Sequence, residues 1–95
     1  MARAKDGVIL RRVSIVNERG MHARAAAKFV KLAEQFDAEI IVTKDDIDVP
    51  GTSIMGLLML AAAKGCHIEL RASGREAEAA VASLAEFVAA GFDGA

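Results

Sequence analysis

The chain has 95 residues, which is enough for one domain with a single modest core and too short for two. Its hydrophobic share is 54%, it contains no Trp or Tyr, and its formal net charge is only -1. Without a strong basic excess interleaved with aromatic residues, this composition argues against nucleic-acid binding. We therefore expect a single domain over residues 1–95 that binds no nucleic acid.

The cysteine content and the hydropathy pattern predict the compartment. Cys66 is the one cysteine, so no intrachain disulfide is expected and a reducing environment fits. No run approaches the ~20 apolar residues of a membrane-spanning helix, and the first residues lack the apolar centre of a signal peptide. We expect a soluble cytoplasmic protein without membrane insertion.

Charge is distributed unevenly along the chain. Residues 1–31 contain eight Lys or Arg and two acidic residues, whereas the remaining 64 residues contain four basic and eleven acidic ones. Basic residues concentrated in one early segment favour an anionic ligand or an acidic partner surface there. The alternative is that folding brings the two halves together and disperses the charge.

The first predicted elements are a strand, a turn and a helix. Residues 10–16 (LRRVSIV) alternate apolar and polar side chains, as an amphipathic strand does. Residues 17–20 (NERG) form a turn signal. The run from His22, residues 22–36, repeats apolar side chains at helical spacing and places basic side chains on the opposite side.

A hairpin and a second helix come next. Residues 38–43 (AEIIVT) predict a β-branched strand, residues 44–46 a turn, and residues 47–49 a short second strand. Residues 52–63 (TSIMGLLMLAAA) are too uniformly apolar to show a clean stripe. They predict a short, largely buried helix.

The last third of the chain predicts one strand and one helix. Residues 66–72 alternate most clearly, with Cys66 on the apolar side and His67 on the polar side. Because these neighbours face apart, we expect a core thiol and a surface imidazole, with no metal and no cofactor. From Ser73 a regular apolar stripe predicts a helix that stops before Gly91, with Ser73 as its cap in a capping box.

The order β-α-β-β-α-β-α predicts a two-layer α+β fold, in which helices cover one face of a sheet. The other face is left to water, and four polar strand residues agree with that expectation: Ser14, His67, Glu69 and Arg71.

Two of the three predicted helix starts break the usual charge rule. A helix N-terminus carries partial positive charge, so acidic residues stabilise it and cations cost ~0.3–1 kcal/mol. The last helix has Glu78 near its start, but the first has Arg24 and no acid. The middle one also lacks an acid and contains Gly56, which costs about 1 kcal/mol in a helix interior. Rules broken without a visible structural gain are expected at functional sites.

The start of the first helix is the candidate site. A positive helix end beside an arginine suits an anion, above all phosphate, and His22 stands at that end. An imidazole nitrogen can act as a nucleophile, and Arg24 and the helix N–H groups can then bind the phosphoryl oxygens. No second catalytic base lies nearby in sequence. This pattern indicates a phosphoryl carrier, not an enzyme, whose catalysis is supplied by partner proteins.

Two segments resemble a known family. Residues 20–26 (GMHARAA) resemble the phosphorylation-site segment of HPr, the histidine-containing phosphocarrier of the phosphoenolpyruvate-dependent phosphotransferase system. Residues 53–56 (SIMG) resemble the regulatory-serine segment of that family. The likeness covers roughly residues 8–92. The ending GFD, residues 91–93, resembles the nitrogen-branch member, NPr, more than the sugar-branch protein.

The resemblance implies a fold and a set of roles. It implies an open-faced β-sandwich, with four antiparallel strands and three helices. It also implies phosphorylation of His22 on Nδ1 by enzyme I, phosphate positioning by Arg24, and onward transfer to an enzyme IIA-type acceptor. Ser53 corresponds to the serine that HPr kinase/phosphorylase modifies in many bacteria. The family's frequent proline is replaced here by Ala25, and its frequent Lys or Arg before the serine by Thr52.

An apolar surface beside the site is the expected partner surface. We predict that it contains four residues: Met21, Thr52, Met55 and Met59. For the methionines the alternative is ordinary core packing, and for Ser53 it is a helix cap without a regulatory role.

Two functional hypotheses follow from these residues. In the first, the protein is a monomeric phosphocarrier in a covalent relay that serves sugar transport or nitrogen regulation. In the second, it is a regulatory binding module, in which the phosphorylation state of His22 or Ser53 controls partner binding in a nitrogen or stress response.

Overall fold

Five antiparallel strands form one sheet in the computed structural model, which describes residues 2–3 and 7–94. In chain order they are β1 (Ala2–Arg3), β2 (Ile9–Ser14), β3 (Glu39–Lys44), β4 (Ile47–Pro50) and β5 (His67–Ser73). Across the sheet the order is β1-β2-β5-β3-β4. The four predicted strands are confirmed with ends that differ by one or two residues. The two-residue β1 is an addition at one edge that is too short for a periodic pattern to predict.

Three helices lie on one face of this sheet. They are α1 (Ala23–Ala33), α2 (Ile54–Met59) and α3 (Ala77–Ala89). The predicted α+β fold, a four-stranded antiparallel sheet with three helices on one face, is therefore confirmed. In the part of the chain that the structure describes, none of these helices is long and apolar enough to cross a membrane.

The core lies between the sheet and the helices. α1 and α3 both bury one regular stripe, which on α1 comprises Ala25, Ala26, Phe29, Val30 and Ala33. Small alanine side chains on the buried side of α3 let this helix approach β2 and β5 closely, because they fill little space between the two layers. As predicted, the basic residues of α1 lie on the side of the helix opposite its own buried stripe.

α2 differs from the prediction in length and in burial. The helix covers six residues instead of twelve, and Leu57 is its one fully buried side chain. Met55 and Met59 are 71% and 72% exposed. The expectation of a largely buried helix is wrong, because a helix this short contacts α1 and β4 along one side only. Ile54, Met55 and Met59 project into solvent, and Leu58 is half-buried against the core.

Gly56 of α2 has a structural reason to be a glycine. A Cβ at this position would lie 2.9 Å from Cβ of Val49 and 3.1 Å from Oγ of Ser53. The helix can therefore lie against β4 only because residue 56 has no side chain. The prediction that this glycine marks a functional site is wrong, since the close approach explains it.

The start of α3 also differs from the prediction. Ser73 ends β5, and α3 begins at Ala77 after Glu76, which makes no side-chain capping bond. The Glu76 carboxylate instead accepts a hydrogen bond of 2.7 Å from the N–H of Asp37. The predicted capping box is wrong because this carboxylate ties the start of α3 to the connection between α1 and β3.

The segment after α3 is a left-handed turn. Four consecutive residues, Gly91–Gly94, have positive φ angles between 54° and 84°, and two of them, Phe92 and Asp93, are not glycines. Such angles are unfavourable for residues with a Cβ. Phe92 is fully buried and packs edge-on against Phe87, with 5.6 Å between the ring centres. Burial of this ring is what holds the turn in place.

The uncovered face of the sheet is polar, as predicted. Arg71 donates to Asp48 at 2.8 Å and to the hydroxyl of Thr43 at 3.2 Å, and Thr43 donates to Asp48 at 2.6 Å. The hydrogen bonds from Thr43 and Arg71 lower the pKa of Asp48. Opposite side chains on β2 and β5 also pair, since Ser14 Oγ lies 2.9 Å from His67 Nδ1. Cys66, which was expected in the core, is instead half-buried just before β5.

Candidate phosphorylation site

His22 occupies the N-cap position of α1. Its backbone is extended, with φ -80° and ψ 176°, while its carbonyl already accepts the first helical hydrogen bond from Ala26. The N–H groups at the start of a helix have no intrahelical acceptors. The half-buried imidazole therefore lies beside N–H groups that can bind an anion.

The two nitrogens of the imidazole have different surroundings. Nδ1 accepts a hydrogen bond from the N–H of Ala25 at 3.4 Å, which is long for such a contact. Nε2 is buried and has no hydrogen-bond partner among the described residues. Nδ1 thus makes one long contact with the helix N-terminus, whereas Nε2 is covered by the protein itself.

Arg24 lies where the sequence placed it, exposed in the first turn of α1. That turn contains no acidic residue, so nothing in it neutralises the guanidinium or the helix end. The site therefore combines an imidazole nitrogen, N–H groups at the start of a helix and an exposed cation. Together they suit a phosphoryl group, because charge-assisted hydrogen bonds to its oxygens are strong.

The loop before His22 is fixed to the segment after α2. The N–H of Met21 donates to the carbonyl of Ala62 at 2.8 Å. Gly20 has φ +63°, and a Cβ there would lie 2.4 Å from the same carbonyl oxygen. Residue 20 must therefore be a glycine, both for its backbone conformation and for this close approach.

An ion pair connects the same two segments at the surface. Lys64 donates to the carboxylate of Glu18 at 2.6 Å, and this contact lowers the pKa of Glu18. Because both groups are exposed, the pair contributes little free energy. The backbone hydrogen bond to Ala62 is the stronger constraint on where His22 lies.

Ser53 is the N-cap of α2. Its hydroxyl oxygen accepts a hydrogen bond of 3.0 Å from the N–H of Gly56, and its side chain is half-buried. The capping role, which was one of the two interpretations of this serine, is thus present in the structure. A cap position does not oppose phosphorylation, because a phosphate also suits a helix N-terminus.

The predicted partner surface changes in two residues. Thr52, Met55 and Met59 are exposed, as expected. Met21 is only 5% exposed and belongs to the core, so its inclusion in the surface is wrong. Its backbone is held against Ala62, which turns the side chain inward. Ile54, which is 40% exposed, was missed; it joins Met55 and Met59 in what we call the α2 patch.

Comparison with known proteins identifies the family. The family model described as the PTS HPr component phosphorylation site matches residues 9–90. The chain is 49% identical over 76 residues to a phosphocarrier protein HPr of Neisseria meningitidis, covering 80% of this chain and 85% of the relative. It is 42% identical over 82 residues to phosphocarrier protein NPr of Escherichia coli, covering 85% and 91%.

A solved structure agrees with these sequence matches. HPr-C-His from Thermoanaerobacter tengcongensis superimposes with a TM-score of 0.86 at 35% identity, covering 90% of this chain and 96% of that one. The chain therefore belongs to the HPr family of phosphocarrier proteins of the phosphotransferase system.

The close approach at Gly20 gives a testable prediction. Gly20→Ala should lower the free energy of unfolding by about 1–3 kcal/mol more than Gly65→Ala, because its methyl group must displace the Ala62 carbonyl. Gly65 is the matched control, since its φ is +91° and a Cβ there would meet nothing within 4 Å. Urea denaturation of both variants measures the difference. Equal losses in the two variants would show that Ala62 does not confine the loop.

Proposed function

We propose that the protein accepts a phosphoryl group on Nδ1 of His22 from enzyme I, ultimately from phosphoenolpyruvate, and passes it to an enzyme IIA-type acceptor. The observation that carries this proposal is the orientation of the imidazole: Nδ1 faces the helix N-terminus and Nε2 is buried. The family supports the carrier role and the geometry supports the choice of nitrogen.

The chemical step follows from that orientation. The lone pair of Nδ1, which accepts the N–H of Ala25, attacks the phosphorus atom of the donor while the ring proton stays on Nε2. The P–N bond forms as the bond from phosphorus to the donor's leaving atom breaks, and that atom takes the electron pair. The new phosphoryl oxygens then lie near the first N–H groups of α1 and within reach of Arg24.

Onward transfer is the reverse of this step, and little in the site opposes it. The phosphoryl group is bound by helix N–H groups and by one flexible, exposed arginine, all at the surface. The second nucleophile is therefore supplied by the acceptor. We infer that the protein is a carrier in the cytoplasm and that its partners provide the catalysis.

The α2 patch is the proposed docking surface for these partners. Three exposed apolar side chains on one six-residue helix are unusual for a surface that faces only water. Methionine side chains adapt to differently shaped partners, which suits a protein that must dock first with a donor and then with an acceptor. Exposed cations of α1, including Arg24 and Lys31, add attraction for acidic partner surfaces.

Ser53 is proposed as a regulatory phosphorylation site for an HPr kinase/phosphorylase. Ser53 directly precedes Ile54 and Met55 in the chain, so a phosphoryl group on its hydroxyl would place about two negative charges beside the α2 patch. The helix itself would tolerate the modification, since the charge lies at its N-terminus. The effect would fall on docking, because an apolar contact would have to form next to a dianion.

Phosphoryl uptake tests the carrier proposal. Wild-type protein incubated with phosphoenolpyruvate and enzyme I should gain one phosphoryl group that is labile to acid, as measured by intact mass. His22→Ala should gain none. A wild-type protein left unmodified by an active enzyme I would contradict the proposal, as would a His22→Ala variant that is modified at the same rate.

Docking through the α2 patch is tested by adding a charge to it. Met55→Glu should raise the KM of enzyme I for this protein about tenfold, since loss of a central apolar contact costs on the order of 1.4 kcal/mol. Thermal unfolding should hardly change, because this side chain is 71% exposed. Ile47→Glu is the matched control, at a 49% exposed residue on β4. If both variants raise the KM equally, the α2 patch is not the docking surface.

A further inference from the structure

We propose that Asn17 is a positioning residue for His22, acting through the carbonyl group of Gly20. For its effect on phosphoryl transfer this inference rests on the proposed function. Neither Asn17 nor Gly20 touches the reacting phosphorus atom. The role of Asn17 is to fix the backbone from which the imidazole projects.

The Gly20 carbonyl is the centre of this arrangement. It accepts a hydrogen bond of 2.9 Å from the side-chain amide of Asn17 and another of 2.9 Å from the backbone N–H of His22. The N–H of Gly20 donates back to the carbonyl of Asn17 at 3.1 Å and closes the turn. Asn17 therefore binds both polar backbone groups of Gly20, one through its main chain and one through its side chain.

The consequence for His22 is geometric. The N–H of His22 donates a hydrogen bond to the carbonyl of Gly20. The preceding N–H, that of Met21, donates to the carbonyl of Ala62. With both amides fixed, the backbone of His22 is held in the extended conformation of an N-cap residue. This conformation places Nδ1 against the N–H of Ala25. A shift of the Gly20 carbonyl would rotate the peptide plane before His22 and move the imidazole.

The chemistry of this contact requires a donor at residue 17. A carbonyl oxygen can only accept, so the atom of Asn17 that faces it must be the amide nitrogen. An ionised aspartate has nearly the same shape but presents only acceptors, and it would repel the Gly20 carbonyl. The left-handed turn lies close by on the other side of Asn17, since a Cβ added at Gly91 would be 3.6 Å from Cβ of Asn17.

Asn17→Asp is the variant that tests the role, since it removes the donor without removing the volume. With enzyme I and phosphoenolpyruvate, we expect the maximal rate of phosphoryl uptake to fall at least about fivefold, the effect of one lost hydrogen bond. The KM should stay within about twofold of wild type, because the binding surface on α2 is untouched. A variant that was merely less stable would instead contain less folded protein and would not combine a lower maximal rate with an unchanged KM.

A second readout follows the His22 amide by ¹H–¹⁵N NMR. In Asn17→Asp the resonance should be displaced at pH 7 and return toward the wild-type position as the pH falls through about 4, where an aspartic acid gains a proton that it can donate. Wild-type protein titrated over the same range gives the displacement of the His22 amide that every other titrating group causes, and this displacement is subtracted. Thr43→Val, which removes a hydrogen bond to Asp48 on the uncovered sheet face, is the matched control for losing a side-chain donor.

The two measurements separate the possible failures. An Asn17→Asp variant with wild-type rate and an unmoved His22 amide would overturn the positioning role and leave the carrier proposal intact. A loss of rate that Thr43→Val shares would also overturn it. If wild-type protein itself takes up no phosphoryl group, the proposed function fails, and the acid-reversible displacement of the His22 amide alone decides whether Asn17 positions the residue.

Discussion

The hydrogen bond from the N–H of Met21 to the carbonyl of Ala62 joins the two parts of the molecule that the proposed function requires. One part is the loop that ends at His22, and the other is the segment that leaves α2. α1 and α2 already contact each other, and this hydrogen bond also ties the loop before His22 to the segment that follows α2. The contact exists because Gly20 has no side chain to collide with Ala62. The absence of a side chain at residue 20 thus allows His22 and the α2 patch, the proposed docking surface, to be tied together by this hydrogen bond.

The rest of the fold supports that arrangement from behind. The inner side of α1 packs against α2 and α3, and this packing keeps the start of the helix beside the loop that ends at His22. The buried ring of Phe92 holds a left-handed turn against the other side of the same loop, next to Asn17. The sheet face that carries no helix is occupied by ion pairs and hydrogen bonds around Arg71. The proposed phosphorylation site lies away from this face, at the start of α1.

Much of this could be predicted from the sequence, because the strands and two of the helices have strong periodicity. The candidate site was proposed because Arg24 at a helix start violates a rule that most helices obey. What could not be predicted depends on contacts between distant segments. Met21 was assigned to the surface because its burial follows from a hydrogen bond to Ala62, 41 positions along the printed chain. Gly56 was given a functional meaning because its contact with Val49 of β4 is invisible in a linear pattern. Asn17 was assigned only to a turn, since its side-chain bond to Gly20 is indistinguishable in sequence from ordinary turn chemistry.

The central claim is that the protein itself determines which imidazole nitrogen reacts, by presenting Nδ1 at the helix N-terminus and burying Nε2. The most direct measurement is NMR of ¹⁵N-labelled protein after phosphorylation, in which the coupling between phosphorus and nitrogen identifies the bonded atom. We predict a single phosphohistidine at His22 with the P–N bond at Nδ1. A bond at Nε2, or a mixture of both isomers, would contradict it, because the buried nitrogen would then have been accessible to the donor.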